Sequence, residues 1–476
     1  MASKPSRAPD FFERYYICRD TCGYLNKGFN ISARLSRPVN DAVLSQALRA
    51  TVLAHPHYLL HMVRADGCKT ADPREEDAKA NGTNYEVQFV EKLAFSDVVR
   101  HASVPALNDE ELARLATVRT PCDVSTPSWY LNVCETDEGQ YLTFACNHVF
   151  FDGRSAVHFF DDLVKALAAV TDKLGENGET ELSSEVAFVD TLFDSSTDNV
   201  DMPPASSEVV NLYQSSWWFA LKTIGLYFLP TPLKKLWKYW WGISPKRMIS
   251  VSPLTAINPC AFRRVHLDAA QAASLLARCR KLGVTITSYL AASVCHALDN
   301  SVVPALGGSF VHSLKLVVCG RRHYPNQIDA TRYGLYVSPA TDYVASGSDL
   351  NETARTVSQR LSASTGNRAL FWMTGLLNYI NIWDHFRGEF DGKHQRATIE
   401  ISNVGMVRIE HGSWAVDDMV FSQGVTTTHI TLSVISTPHG GLNIVMATHD
   451  ELCKVENEGI PVIDTFYKVF EADLTS

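Results

Sequence analysis

Between Tyr141 and Leu163 the chain reads YLTFACNHVFFDGRSAVHFFDDL, and this stretch narrows the available folds more than any other. Tyr141 to Cys146 is an apolar run of strand length. Ser155 then opens a segment with Val157, Phe160, Leu163 and Leu167 at helical spacing. Between the two lies a turn, Asn147-His148-Val149-Phe150-Phe151-Asp152-Gly153. A strand that ends in a polar loop and feeds a helix is a common place to hold a chemically active side chain. His148 is the side chain in this turn suited to accept a proton near neutral pH, with an ordinary pKa of roughly 6.5. Asp152 stands four residues on, and Gly153 frees the backbone to turn back.

Strands and helices alternate through the rest of the chain. Phe11 to Cys22 is predicted as a helix. Tyr24 to Leu35 is predicted as a strand, since Phe29, Ile31, Ala33 and Leu35 alternate. Asn40 to His55 reads as a helix with Pro56 just beyond its end. Trp129 to Glu135 should pair with Gln140 to Cys146 across the Glu138-Gly139 turn. Further on, Asp268 caps a helix that ends at Gly283. Thr287 to Leu298 and Leu350 to Leu361 read as helices. Leu314 to Cys319, Ala397 to Ser402, Val416 to Phe421, Ile430 to Ser436 and Gly441 to Thr448 read as strands. The Gly-rich phosphate loop of a nucleotide fold is missing.

A chain of 476 residues suffices for about two to three domains. Two halves are expected, residues 1–175 and 256–476, around a middle part, 176–255, of different character. Residues 173–206 are acidic and Ser-rich and read as a linker. Then come WWFALKTIGLYFL, from Trp217, and LKKLWKYWW, from Leu233, separated by Pro230 and Pro232. The first run is shorter than the ~20 residues that span a bilayer. Trp, Tyr and Lys together favour the lipid–water interface, so docking on a membrane surface is preferred over a hairpin packed on the protein's own core.

The net charge of −9 and the lack of a long basic run argue against a nucleic-acid partner. The N-terminus has no apolar core of signal-peptide length, and the eleven cysteines form no paired framework. Reduced thiols in a cytoplasmic protein are expected, with peripheral attachment to the endoplasmic reticulum or lipid droplets as an extension. His55, His57 and His61 lie close together, but no carboxylate sits among them, so no metal is expected.

Three groups of segments carry a resemblance. The first is Phe12-Glu13-Arg14-Tyr15 with Gly23-Tyr24 and LSQALRATVLAHP. The second is NHVFFDG, an H-x-x-x-D-G motif. The third is VVCGRRHYP with YGLYVS and EISNVGM. Together they make the chain similar to the acyl-CoA-dependent acyltransferase superfamily with the chloramphenicol acetyltransferase fold. Within it, the chain resembles the fungal alcohol O-acetyltransferase family. The resemblance covers most of the chain apart from residues 173–255. Plant-type members carry Asp-Phe-Gly-Trp-Gly late in the chain, where this one has Phe421-Ser422-Gln423-Gly424. The resemblance implies an α+β protein of two chloramphenicol acetyltransferase-like halves, each a mixed sheet flanked by helices. It also implies an active-site tunnel at their interface, with His148 midway between acyl-CoA and acceptor.

Acyl transfer from a thioester to an alcohol needs a base, because a free hydroxyl is a poor nucleophile near neutral pH. His148 suits that role; the alternative is a loop histidine satisfied by a backbone carbonyl. Asp152 is tempting as the group that orients His148, as in a serine triad. The superfamily implies instead an ion pair that holds the loop, with Arg321 as partner by motif position and Arg322 as the alternative. Ser402 and Asn403 stand where the superfamily places a serine near the reacting centre, and either is a candidate oxyanion donor or substrate contact. Cys146, on the strand, reads as a core thiol. The expected function is acetyl transfer from acetyl-CoA to a hydrophobic alcohol. It is expected of a monomer that binds no cofactor beyond the acyl-CoA co-substrate. The alternatives are N-acetyl transfer to a lipid-like amine such as a sphingoid base, and a non-catalytic lipid- or partner-binding member of the fold.

Overall fold

The computed structural model describes residues 5–23, 28–65, 73–118, 120–121, 125–172, 186–228, 230, 232–233, 248–255, 258–366, 368–390, 392 and 394–476. Residues 173–185 of the expected linker and 234–241 of the second Trp-rich run lie outside the described residues.

The first lobe begins with helix α1 (Phe11–Thr21). The Asp10 carboxylate accepts from the Glu13 amide at 2.9 Å, and the Glu13 carboxylate accepts from the Asp10 amide at 2.8 Å. This reciprocal cap satisfies two donors that a helix start leaves open. There follow β1 (Gly28–Leu35), α2 (Asp41–Ala54), β2 (Val99–Ser103), β3 (Trp129–Thr136), β4 (Gly139–Asn147) and α3 (Gly153–Asp172). In the β3–β4 hairpin Trp129 faces Cys146 and Glu135 faces Gln140. Phe159, Phe160, Leu163, Val164 and Leu167 of α3 are all fully buried. Phe159 stacks on Phe144 of β4 with ring centroids 4.2 Å apart. Burying side chains of this size stabilises by roughly 1.5–3 kcal/mol each, so the strand end that carries His148 is firmly backed.

Helix α4 (Trp217–Phe228) separates the lobes in sequence. The second lobe contains β5 (Cys260–Leu267), α5 (Ile286–Asp299), β6 (Val311–Cys319), β7 (Val337–Ala345), α6 (Leu350–Gly366) and α7 (Ala369–Gly375). The chain continues with β8 (Ala397–Met406), β9 (Glu410–His411), β10 (Trp414–Ser422), β11 (Thr428–Thr437), β12 (Gly441–His449) and α8 (Ile463–Thr475). Two six-stranded mixed sheets result. One has the order β9-β10-β1-β4-β3-β2, the other β5-β12-β11-β8-β6-β7. β2 runs parallel to β3, and β8 runs parallel to both β6 and β11.

The strand expected at Val416 to Phe421 forms, but in the first lobe's sheet. β10 crosses over and pairs with β1, Phe421 opposite Ile31. A strand pattern does not name its partner; buried polar contacts do. Asp418 of β10 accepts from Tyr141 at 3.1 Å, from Asn443 at 2.7 Å and from Arg264 at 3.3 Å, which ties the crossing strand to both sheets.

The alternation of side chains along a strand decides what the second sheet shows to the first lobe. Leu314 and Leu316 of β6, with Ile399 and Ile401 of β8, share a core with α5, α6 and α8. Their neighbours Lys315, Val317, Glu400 and Ser402 line a cavity facing α1. Between the lobes, the later part of the expected linker is anchored. Thr191–Asp194 pairs with Lys92–Ala94, and Leu192 and Phe193 are buried, as are Leu212 and Tyr213 just beyond the linker. In α4 Trp217 and Trp218 are 73% and 63% exposed. No helix among the described residues is long and apolar enough to cross a membrane.

Candidate active site

The turn that carries His148 is pinned on both sides. Val149, Phe150 and Phe151 are buried, and the Phe151 ring stacks on Tyr58 at 5.5 Å. Asn147 Oδ1 accepts from the Val149 amide at 3.1 Å, and Asn147 Nδ2 donates to the Thr120 carbonyl at 3.0 Å. From Asn147 to Asp152, His148 alone is not buried. At Gly28 of β1, an added Cβ would lie 2.5 Å from the Cys146 carbonyl oxygen, so only glycine lets β1 come this close beside the turn.

The imidazole lies flat against Tyr16, with centroids 4.7 Å apart and planes 6° from parallel, and Phe29 stands at 5.0 Å. Among the described residues, the buried Nδ1 has no hydrogen-bond partner. Burial, and then the Arg19 charge, push the His148 pKa down to about 4; Asp152 and the carbonyls of His148 and Phe151 pull weakly the other way. The ring is therefore neutral at ordinary pH, which is the state a general base requires.

Asp152 is fully buried. Its carboxylate accepts from Arg321 Nη1 at 2.6 Å, from the Tyr336 amide at 3.0 Å, and from the Ser155 amide and hydroxyl at 2.9 and 3.0 Å. Among the described residues none of its bonds goes to His148. Burial alone would raise its pKa; the Arg321 guanidinium and these donors outweigh that and hold the carboxyl below its ordinary range. Arg321 is fixed in turn by the Thr331 carbonyl at 2.5 Å and lies over the Tyr336 ring at 4.7 Å. The pair thus joins the start of α3 to the second lobe. Gly153, the first residue of α3, sits close to the second lobe too: a Cβ there would lie 3.3 Å from Val404 Cγ2.

Two cavities approach this junction. The first, of about 320 Å³, is lined by His148, Ser402, residues of α1, β6 and β8, and Gln423-Gly424 beyond β10. The second, of about 610 Å³, holds Arg154, His158, Thr285, Thr287, Arg321 and Arg322. Val317 lines both, so the two cavities lie on either side of this β6 residue.

The structure brings His148 and Ser402 to one cavity. Asn403 is turned to the other face of β8, where Nδ2 donates to Thr287 at 3.0 Å and Oδ1 accepts from the Gly405 amide at 2.8 Å. Arg322 is exposed and lines the second cavity, while Arg321 takes the pair with Asp152. Cys146 is buried, and burial raises its thiol pKa well above the ordinary value. The sequence reading passed over Phe12, Tyr15, Tyr16 and Arg19, which line the His148 cavity. Their i, i+3, i+4, i+7 spacing on α1 was the available signal. It also passed over Lys315 and Glu400, each a lone charge inside an apolar strand.

Residues 10–474 match the family model described as Alcohol acetyltransferase. No curated protein sequence matches the chain. Solved structures share the fold. The first condensation domain of the calcium-dependent antibiotic synthetase, in complex with a substrate analogue, matches at a TM-score of 0.60 and 14% identity, over 98% of this chain and 95% of that one. The TRI3 trichothecene 15-O-acetyltransferase from Fusarium sporotrichioides matches at 0.60 and 14%, over 99% and 95%. The condensation domain of the monacolin K polyketide synthase MokA matches at 0.59 and 11%, over 99% and 97%. At these identities the likeness shows the two-lobed, chloramphenicol acetyltransferase-like fold alone. The family model spans nearly the whole chain, from α1 through α8, and on that ground the protein belongs to the alcohol acetyltransferase family and is an acyltransferase.

Proposed function

We propose that the protein moves an acyl group, acetyl in the simplest case, from acyl-CoA to the hydroxyl of an apolar alcohol, with His148 as general base. The supporting observation is a neutral imidazole whose buried edge carries Nδ1 and whose residue lines a cavity. In this reading the ring proton rests on Nδ1, at the buried edge, and Nε2 keeps its lone pair. Nε2 takes the proton of the acceptor hydroxyl as that oxygen bonds to the thioester carbonyl carbon. The carbon–sulfur bond of the tetrahedral intermediate then breaks, and the CoA thiolate recovers the proton from Nε2. Ser402 supplies a hydroxyl donor to the oxyanion. Arg154, Arg322 and the N-terminus of α5 make the second cavity a fitting place for the CoA phosphates. Asp152 and Arg321 hold the loop.

Incubating the protein with acetyl-CoA labelled in the acetyl group, a panel of alcohols and a panel of long-chain amines tests this. The expected product is a labelled ester together with free CoA. A labelled amide would favour transfer to an amine instead, and no CoA release with any acceptor would overturn the enzymatic reading.

The exposed face of α4 fits peripheral docking on a membrane. Trp217, Trp218 and Leu221 are exposed with Lys222 beside them, and Lys234, Lys235 and Lys238 follow in the sequence. Phe219 packs on Trp372 of α7 at 5.5 Å, and Thr374 of α7 lines the His148 cavity, so docking would bring that cavity near lipid. The wild-type protein is expected to float with anionic phospholipid vesicles, and Trp217→Ser with Trp218→Ser to lower the bound fraction severalfold. A wild-type protein that never floats would remove the docking role.

A further inference from the structure

We infer that Lys315 and Glu400 recognise a second oxygen function on the acceptor, which would make that acceptor an apolar alcohol with a distal hydroxyl. The inference rests on the acyl-transfer reading and extends it to substrate class. β6 and β8 run parallel with Lys315 opposite Glu400, and both side chains line the cavity of His148. Neither satisfies the other. Among the described residues Glu400 makes no ion pair, and its one hydrogen bond is a long one, from Thr426 Oγ1 at 3.5 Å. Lys315 gives one donor to Thr427 Oγ1 at 2.5 Å and has two more to offer. Burial raises the Glu400 pKa against the opposing pull of Lys315, Arg19 and the Thr426 hydroxyl.

A hydroxyl placed between these groups donates to the carboxylate and accepts from the ammonium, and both bonds are charge-assisted. A methyl satisfies neither group. A ligand ammonium would meet Lys315 and Arg19 as well as Glu400, so like charge opposes it. Away from the strands the lining offers Phe12, Tyr15, Tyr16 and Leu377 to an apolar body, beside the polar Arg19, His385 and Glu389. Ser402 lies two residues along β8 from Glu400, a rise of about 7 Å.

The test compares n-hexanol with pentamethylene glycol. The two have equal numbers of heavy atoms and differ by a terminal methyl against a hydroxyl. Their dissociation constants are measured by ligand-observed NMR for the wild-type protein, Glu400→Gln and Lys315→Met, each with CoA present. Hexanol binding shows in each case that the cavity has formed. The wild-type protein is expected to favour the glycol, and the glycol-to-hexanol affinity ratio is expected to fall roughly tenfold or more in each variant. An equal ratio in all three proteins overturns the inference. Ester formation is followed in the same samples. A glycol preference that depends on both residues, with no ester formed, upholds the recognition and counts against the reaction alone.

Discussion

Replacing His148 by alanine is expected to lower turnover by roughly 10²–10⁴-fold, the usual contribution of a positioned base, while the protein stays folded. The folding half of that statement follows from the ring's surroundings. Among the described residues Nδ1 has no hydrogen-bond partner to orphan, and the turn is held by Val149, Phe150, Phe151 and Asp152 instead. What is lost is the stacking on Tyr16 and the tilted ring contact with Phe29, worth about 0.5–1.5 kcal/mol per aromatic pair. CoA release at saturating acetyl-CoA measures the first effect, and a urea unfolding curve the second. A variant that keeps full turnover would show that some other group takes the proton.

The second large effect belongs to Asp152→Asn. The substitution keeps the shape and removes the charge, leaving the Arg321 guanidinium in a buried site without its counter-ion. Breaking one member of a buried pair in this way costs about 3–5 kcal/mol, a large share of the stability of a typical domain. Soluble yield should fall, and the urea midpoint should drop with it. Asp152 also accepts the Ser155 amide at the start of α3 and the Tyr336 amide, so the loop that carries His148 loosens and turnover falls as a secondary result. The double variant Asp152→Asn with Arg321→Gln should lose less stability than the two single losses summed, because they remove one shared interaction. An unfolding midpoint unchanged in Asp152→Asn would mean that the pair carries no structural weight.

The loop that carries His148 was legible in the sequence because strand, turn and helix are consecutive there, and His148, Asp152 and Gly153 fall within six residues of one another. The partner of Asp152 was not legible from the residues themselves. Arg321 lies 169 positions away, and only the resemblance pointed to it. The crossing of β10 could not be read either, since a strand's pattern gives its faces and not its neighbour. Other misses had a signal in plain view. Glu400 and Ser402 are two apart on one strand, so they share a face, and Asn403 between Ser402 and Val404 must look the other way. Leu314 to Cys319 reads as a strand, and Lys315 sits inside it as a charge that needs a reason.

The pH dependence of kcat/KM for the acceptor tests most directly whether the imidazole of His148 is the base, because that quantity reports the pKa of the free enzyme. With the ring titrating at about 4, the expected profile is flat from about pH 6 to 8 and declines only on approach to about pH 4, and the decline is absent from the residual rate of His148→Ala. A wild-type rate still climbing between about pH 6 and 8, or the same acid limb in both proteins, would contradict it.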